Sequence, residues 1–198
     1  ESMFRLWRME ATMNDNERIL EGQLRECYGR VIHTHKTQER CADILLARHK
    51  CIKRWQIVLS ALVTGGVLAT LSDDVKFLAT GFTAACSTLL LALNTYTKDY
   101  DLGSIAQRHR QSAADIWVVR EKYLSLLTNL RAGLQPLDKI IKGRDSLLLE
   151  LHAAYKGAPS TDSKAYKQAQ KALKELGDMT FSDDEIDHLL PKELKRKQ

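Results

Sequence analysis

WQIVLSALVTGGVLATL (Trp55–Leu71) and FLATGFTAACSTLLLALNTY (Phe77–Tyr96) are two apolar runs that contain no charged residue. At about 1.5 Å per residue, as α-helices they measure roughly 25 and 30 Å, close to the thickness of a bilayer's hydrocarbon core. The connection Ser72–Lys76 is short enough to make the two helices antiparallel, and Ser72 or Asp73 is the predicted N-cap of the second helix. The sequence therefore predicts a transmembrane hairpin formed by residues 55–96.

The alternative is a soluble helical hairpin that is buried in a protein core. A buried helix of a globular protein normally carries a charged residue on its exposed face every turn or two, and these runs carry none. Charge in the remainder of the chain is high, at 28% of residues overall, so the apolar content is concentrated in one place. This concentration favours the membrane interpretation.

The charges that flank the hairpin predict its orientation. Basic residues precede the first run and follow the second, whereas the connection offers only Lys76 against Asp73 and Asp74. The positive-inside rule then places both termini in the cytoplasm and the connection outside. Trp55 and Tyr96 fall at the same predicted interface, where aromatic residues are enriched. The predicted location is therefore a membrane that borders the cytoplasm, with the lipid bilayer as one partner.

The rest of the chain is helix-prone, and no run has a β-strand pattern, so the fold class is all-α with long cytosolic helices. We expect a helix from Asn14 to Lys50, with a candidate interruption near Gly29, that continues into the first apolar run. A helical stretch from Asp99 to Tyr155 is expected to break at Gly133 and Pro136. Further helices are predicted at 162–176 and from the capping box at Ser182–Glu185 to Pro191. The predicted regions are an N-terminal cytosolic region (1–54), the hairpin (55–71 and 77–96), a cytosolic helical region (97–156) and a C-terminal helical region (157–198).

The 198 residues carry a net charge of +5, which is a weak sign of contact with nucleic acid or anionic lipid. The four cysteines contain no CxxC pair, which fits a reducing cytosol better than a disulfide framework. His33 and His35 lack other ligands at metal-binding spacing, and no nucleophile–base constellation or glycine-rich phosphate loop is recognisable. We therefore expect neither a metal nor a cofactor, and no enzymatic activity.

Polar side chains form stripes along both apolar runs. In the first run they recur at steps of four, and in the second at steps of three, four and seven. Two helices cannot enclose a pore, but several hairpins can, and a ring of such stripes would be a narrow, neutral conduit. The alternative is that hydroxyl groups bond to their own or a neighbouring helix. The two amides favour the conduit because they are costly against lipid. The candidate pore-lining residues are Gln56, Ser60, Thr64, Thr80, Thr83, Ser87 and Asn94.

Small residues at four-residue spacing, such as Ala61, Gly65 and Ala69, allow close helix packing in lipid and favour self-association. Basic residues in the cytosolic part suggest a second kind of site, because a lysine stripe on one helix face attracts phosphates. The alternative is a solvated face, or one that pairs with the acidic residues between Asp183 and Asp187. The candidate ligand-binding residues are Lys139, Lys142, Arg144, Lys164, Lys167, Lys171 and Lys174.

A set of short segments follows the hairpin in a characteristic order: IAQRHR (105–110), WVVREKYL (117–124), LL (126–127), GAP (157–159) and YKQA (166–169). This layout resembles the SLATT family, the two-transmembrane effector domains associated with SMODS and SLOG proteins. The resemblance covers residues 18–176 and rests on order and spacing. It implies a pore-forming effector of bacterial anti-phage systems, located in the bacterial inner membrane and kept inactive until its cytosolic helices sense a nucleotide-type signal.

Two functions are consistent with these features. The first is a homo-oligomeric pore or ion channel, with four or more copies around the conduit, controlled by a nucleotide second messenger or short oligonucleotide from a nucleotide-producing partner enzyme. Such control requires a ligand that binds the open and closed states unequally. The second is a membrane-anchored helical scaffold that recruits a partner protein without conduction. A leak assay distinguishes them, because a scaffold leaves the membrane sealed.

Overall fold

The computed structural model describes residues 14–72, 74–175 and 177, and this part of the chain is all-α. The helices are α1 (Asp15–Ala69), α2 (Lys76–Asp99), α3 (Leu102–Arg131), α4 (Leu137–Lys156) and α5 (Ser163–Glu175). The predicted breaks at Gly133 and Pro136 are confirmed. Gly133 adopts φ +63°, and Pro136 is the N-cap of α4. The predicted helix at 182–191 lies outside the described residues.

Helix α1 is continuous over 55 residues, which corresponds to about 80 Å. It begins at a capping box, in which the Asn14 backbone N–H donates to Glu17 Oε2 at 3.0 Å. The predicted interruption near Gly29 is wrong, because the helix continues through this glycine. A single rigid element therefore joins the N-terminal region to the first apolar run, and the predicted boundary at residue 54 falls inside it.

The described parts of the chain outside the hairpin form an antiparallel bundle. Two contacts show that α1 and α3 are antiparallel. Arg131 Nε, at the end of α3, pairs with Glu21 Oε1 near the start of α1 at 3.0 Å, and His35 Nδ1, further along α1, lies 2.9 Å from the Ala113 carbonyl, earlier in α3. Helix α4 returns along α3, and α5 packs on α1. The most deeply buried large side chains come from α1, α3 and α4: Leu24, Val31, Ile116, Tyr123 and Ile140. Burial of this apolar surface holds the bundle together.

Helix α2 packs against the second half of α1 and forms the hairpin. It begins at Lys76 with Val75 as its N-cap and no side-chain capping bond, so the prediction that Ser72 caps this helix is wrong. Asp73, the other predicted cap, lies outside the described residues. The hairpin buries little of its own surface. In the most apolar 18-residue windows of the two helical stretches, 6% and 11% of residues are buried.

The exposed surface of the hairpin is apolar, which distinguishes it from a soluble core element. Phe77 and Leu71 are 90% and 82% exposed. Soluble monomers rarely leave a contiguous apolar surface of this extent in water. Both helices are long and apolar enough to cross a bilayer. The predicted fold class, an all-α chain with a transmembrane hairpin, is confirmed for the described residues.

Candidate functional site

The seam between α1 and α2 repeats every seven residues. Its members are buried or half-buried positions of the hairpin that alternate at steps of four and three, the pattern of a coiled coil. In α1 the seam consists of Ile52, Gln56, Leu59, Val63, Gly66 and Thr70. In α2 it consists of Ala79, Thr83, Cys86, Leu90, Leu93 and Thr97. Towards the connection between the helices these residues are small or short, so the two backbones approach closely there.

The side chains on the two sides of this seam differ in chemistry. Each four-residue step of the seam has a seam residue at its start and another at its end. In an antiparallel coiled coil, the residues directly after the start of these steps lie on one side of the helix pair, and the residues directly before their end lie on the other side. We call the first side the polar flank: Lys53, Ser60, Val67, Thr80, Ser87 and Asn94. We call the second the aromatic flank: Trp55, Leu62, Ala69, Phe82, Leu89 and Tyr96. All members of the polar flank are exposed, and Val67 is its one apolar residue.

A shallow cleft of about 470 Å³ opens on the polar flank, at the end of the hairpin that joins the bundle. It is lined by Lys53, Gln56, Ile57, Ser60, Leu90, Asn94 and Thr97. Gln56 Nε2 donates to Asn94 Oδ1 at 2.9 Å and to Thr97 Oγ1 at 3.2 Å. Gln56 therefore joins the two helices by hydrogen bonds to Asn94 and Thr97 at the floor of the cleft.

The seven predicted pore-lining residues do not share one environment. Ser60, Thr80, Ser87 and Asn94 lie on the polar flank, whereas Gln56 and Thr83 lie in the seam. Thr64 and Thr80 donate to the carbonyls of Ser60 and Lys76 in their own helices, at 3.0 and 2.7 Å. The alternative of hydroxyl groups bonded within their own helix thus describes part of the set. Sequence reasoning missed Lys53 and Thr97, which the seven-residue repeat would have placed beside Asn94.

The predicted ligand-binding lysines of α5 lie on one exposed face. Ala165, Ala169 and Ala172 are buried on the opposite face, where α5 packs on α1. Lys164, Lys167, Lys171 and Lys174 remain exposed, and within the described part of the chain only Lys171 has an acidic partner, Glu175 at 3.9 Å. The stripe therefore presents several solvated ammonium groups along about three turns of helix.

The other predicted basic residues lie on α4, and they differ in their contacts. Lys139 and Lys142 are both exposed. The Arg144 guanidinium pairs with Asp145 at 2.7 Å and donates to Gln23 Oε1 of α1 at 2.9 Å. Arg144 therefore joins α4 to α1, and its charge is already partly neutralised. The α5 stripe is the better candidate for an anionic ligand.

The linker between α4 and α5 is attached to α1 and α3 by buried polar groups. Gln38 Nε2 donates to the Pro159 carbonyl at 3.2 Å, and Gln38 Oε1 accepts from His109 Nδ1 at 2.5 Å. Burial lowers the pKa of His109 below its ordinary value of 6.5, which favours the neutral ring. Sequence reasoning missed this cluster.

Two further groups of the bundle have shifted titration. Burial raises the pKa of the Cys41 thiol, with the Asp162 backbone N–H acting in the opposite direction and the Asp162 carboxylate adding to the rise. Burial, followed by the neighbouring Cys27, raises the pKa of Tyr123 to about 12. Both groups are therefore uncharged at neutral pH. Within residues 14–72, 74–175 and 177 the structure shows no cluster of three metal-ligating side chains.

Comparison with known families assigns the chain. Residues 20–185 match the family model described as SMODS and SLOG-associating 2TM effector domain family 4. The match covers most of the chain, so the protein belongs to this family, and the predicted resemblance is confirmed. The match extends to residue 185, beyond the end of the predicted resemblance at residue 176. No curated protein and no solved structure matches the chain.

The family description fits the hairpin seen in the structure, and together they define a membrane protein with a two-transmembrane effector domain. The same description associates this class of domain with SMODS and SLOG proteins.

Proposed function

We propose that this protein is a non-enzymatic, homo-oligomeric pore of a bacterial anti-phage defence system, with four or more hairpins around a central conduit. The observation that carries the proposal is the difference between the two flanks of the hairpin. A helix pair that is surrounded by lipid on all sides needs no polar side, because hydroxyl and amide groups form no hydrogen bonds with hydrocarbon. A helix pair that lines a water-filled conduit needs one polar side and one apolar side.

The arrangement of hairpins follows from this asymmetry. If the polar flanks face a common axis, the aromatic flanks face lipid, and Trp55 and Tyr96 fall at the cytoplasmic interface, where aromatic rings are favoured. Both rings are about half exposed in the single chain. The conduit wall would then consist mainly of Ser60, Thr80, Ser87 and Asn94. Such a wall is polar and uncharged over most of its length.

We further propose that a nucleotide second messenger or a short oligonucleotide, supplied by a nucleotide-producing partner enzyme, controls the pore through the α5 stripe. Helix α5 and the preceding linker contact α1 between His33 and Cys41: His33 stacks on Tyr166 with ring centroids 6.3 Å apart. Because α1 is continuous, this contact lies about 20 to 33 Å along the same helix from Trp55. A ligand that moves α5 against α1 would act directly on the hairpin.

Flux from liposomes tests both parts of this proposal. Purified protein is reconstituted into salt-loaded liposomes, and nucleotides are supplied on the side of the membrane that carries both termini. Salt release is recorded with cyclic mononucleotides, cyclic dinucleotides and short oligoadenylates. We expect release that changes with one of these classes. Reversal of Lys164, Lys167, Lys171 and Lys174 to Glu should abolish the change, whereas substitution of the same four residues by Arg should preserve it.

The outcomes separate the two parts. Sealed liposomes under every condition contradict the pore. Release that responds to nucleotides equally in the Glu and Arg variants contradicts the role of the α5 stripe and leaves the pore in place. Substitution of Lys139 and Lys142 by Glu in one variant, and by Arg in another, shows whether these α4 residues contribute to the response.

A second candidate function is a membrane-anchored scaffold, and one observation favours it. Trp117 and Leu124, seven residues apart on the outer face of α3, are 48% and 43% exposed. Exposed aromatic and aliphatic side chains on one helix face are typical of protein interfaces. A scaffold keeps liposomes sealed while Trp117→Ala abolishes partner recruitment. A pore that assembles through this face loses conduction in the same variant.

A further inference from the structure

The polar flank carries one charged residue, and it lies at the end of the hairpin that the proposed orientation places in the cytoplasm. Lys53 lines the cleft together with Gln56, Ser60, Asn94 and Thr97, and no carboxylate contributes to this lining. Within the described part of the chain, no hydrogen bond or ion pair engages the Lys53 ammonium. Its positive charge is therefore directed at whatever occupies the cleft.

The hydrogen bonds of the cleft leave N–H donors for an occupant. Gln56 Nε2 uses its two N–H groups on Asn94 Oδ1 and Thr97 Oγ1, and the Thr97 hydroxyl donates to the Asn94 backbone carbonyl at 3.0 Å. The Asn94 side-chain carbonyl is thus occupied, while its amide NH₂ has no acceptor among the described residues. An ammonium group beside an amide NH₂ favours an anion over a cation.

The position of Lys53 on the flank distinguishes it from the neighbouring basic residues. Lys53 precedes Ser60 by seven residues, so both project from the same side of the seam. Arg54 projects about 100° further round the helix, away from the polar flank and outside the cleft. In an assembly of several hairpins, one Lys53 from each copy would form a ring at the cytoplasmic mouth, and such rings of basic residues are found in anion pores.

We propose that Lys53 makes the conduit anion-selective, with the cleft at the cytoplasmic mouth as the site where a permeating anion first loses part of its hydration. This inference rests on the proposed function, because it names the ions that the conduit passes. The remaining members of the flank carry no charge, so Lys53 is the residue within the flank that favours one sign of ion.

The test is the reversal potential of reconstituted protein in planar bilayers under a KCl gradient. We expect wild-type protein to favour chloride over potassium severalfold. Lys53→Gln should bring the permeability ratio close to one, Lys53→Glu should invert it, and Lys53→Arg should retain it. Arg54→Gln is the matched control: it removes one positive charge at the same depth, outside the cleft, and should leave the ratio unchanged.

The outcomes separate this inference from the function on which it rests. No current under any condition overturns both. Current whose ratio is the same in wild type and Lys53→Gln overturns the selectivity and leaves the pore. An equal loss of preference in Arg54→Gln overturns it too, because the effect then comes from general interfacial charge. If Lys53→Gln weakens the retention of phosphatidylglycerol by the detergent-purified protein while the ratio stays unchanged, the anion held by Lys53 is a lipid phosphate, and the selectivity is overturned. The Arg variant keeps the test valid where the Gln or Glu variant fails to assemble.

Discussion

Gly66 of α1 lies directly against Thr83 of α2. A Cβ atom added to Gly66 would clash with Thr83 Oγ1 and would lie 3.3 Å from Thr83 Cβ. The neighbouring Gly65 has open space in the same position. The two adjacent glycines therefore have different roles: one permits the closest approach of the hairpin helices, and the other faces outward.

This contact predicts unequal effects of alanine at the two glycines. Gly66→Ala forces Thr83 to turn or the helices to separate, and overpacking of this kind costs about 1–3 kcal/mol. Gly65→Ala should have little effect on the free energy of unfolding, which is measured by reversible denaturation in mixed micelles. Combining Gly66→Ala with Thr83→Ala should recover most of the loss, because the clashing hydroxyl is removed. Equal effects of the two single glycine substitutions would contradict the packing of the seam.

A second pair of glycines contrasts a position inside α1 with a position in the turn between α3 and α4. Gly29 is inside this helix with open space around its Cα, so Gly29→Ala should raise the free energy of unfolding by about 0.5–1 kcal/mol through helix propensity. Gly133→Ala is the opposite case, since a φ of +63° is unfavourable for alanine and stability should fall. Thermal unfolding of the full chain in detergent measures both changes. Destabilisation by Gly29→Ala would mean that α1 bends at this point.

The hairpin and the helix breaks were predictable because they depend on local properties: uncharged length, and the backbone limits of Gly133 and Pro136. The division of polar residues between seam and flank was not, because steps of four suggested one stripe while the helix pair follows a seven-residue repeat. Gln56 and Thr83 consequently lie in the seam. Lys53 was missed because a charge next to an apolar run is normally counted as its boundary. The contact between Gln38 and His109 depends on which helices pack together, which one sequence does not specify.

The buried His109 predicts that the helical bundle weakens in acid. The lowered pKa means that the unfolded chain binds a proton near pH 6.5 more readily than the folded chain does. Stability due to this group is therefore complete above pH 6.5 and falls as the pH decreases below it. His109→Gln should reduce the pH dependence of the free energy of unfolding between about pH 7.5 and 5.5. The same slope in wild type and in His109→Gln would exclude His109 as its source.

The proposed orientation of the hairpin, with both termini in the cytoplasm, predicts which cysteines react from each side of the membrane. Cys51 is exposed on α1, four residues before Trp55, whereas Cys41 and Cys86 are buried. The raised pKa of Cys41 further slows its reaction, because the thiolate is the nucleophile. In intact spheroplasts, a membrane-impermeant maleimide should leave Cys51 unlabelled and should label it after permeabilisation. Ser72→Cys, introduced at the other end of the hairpin together with Cys51→Ala, should be labelled without permeabilisation. Labelling of Cys51 in intact spheroplasts would invert the topology and place the Lys53 cleft on the outer side of the membrane.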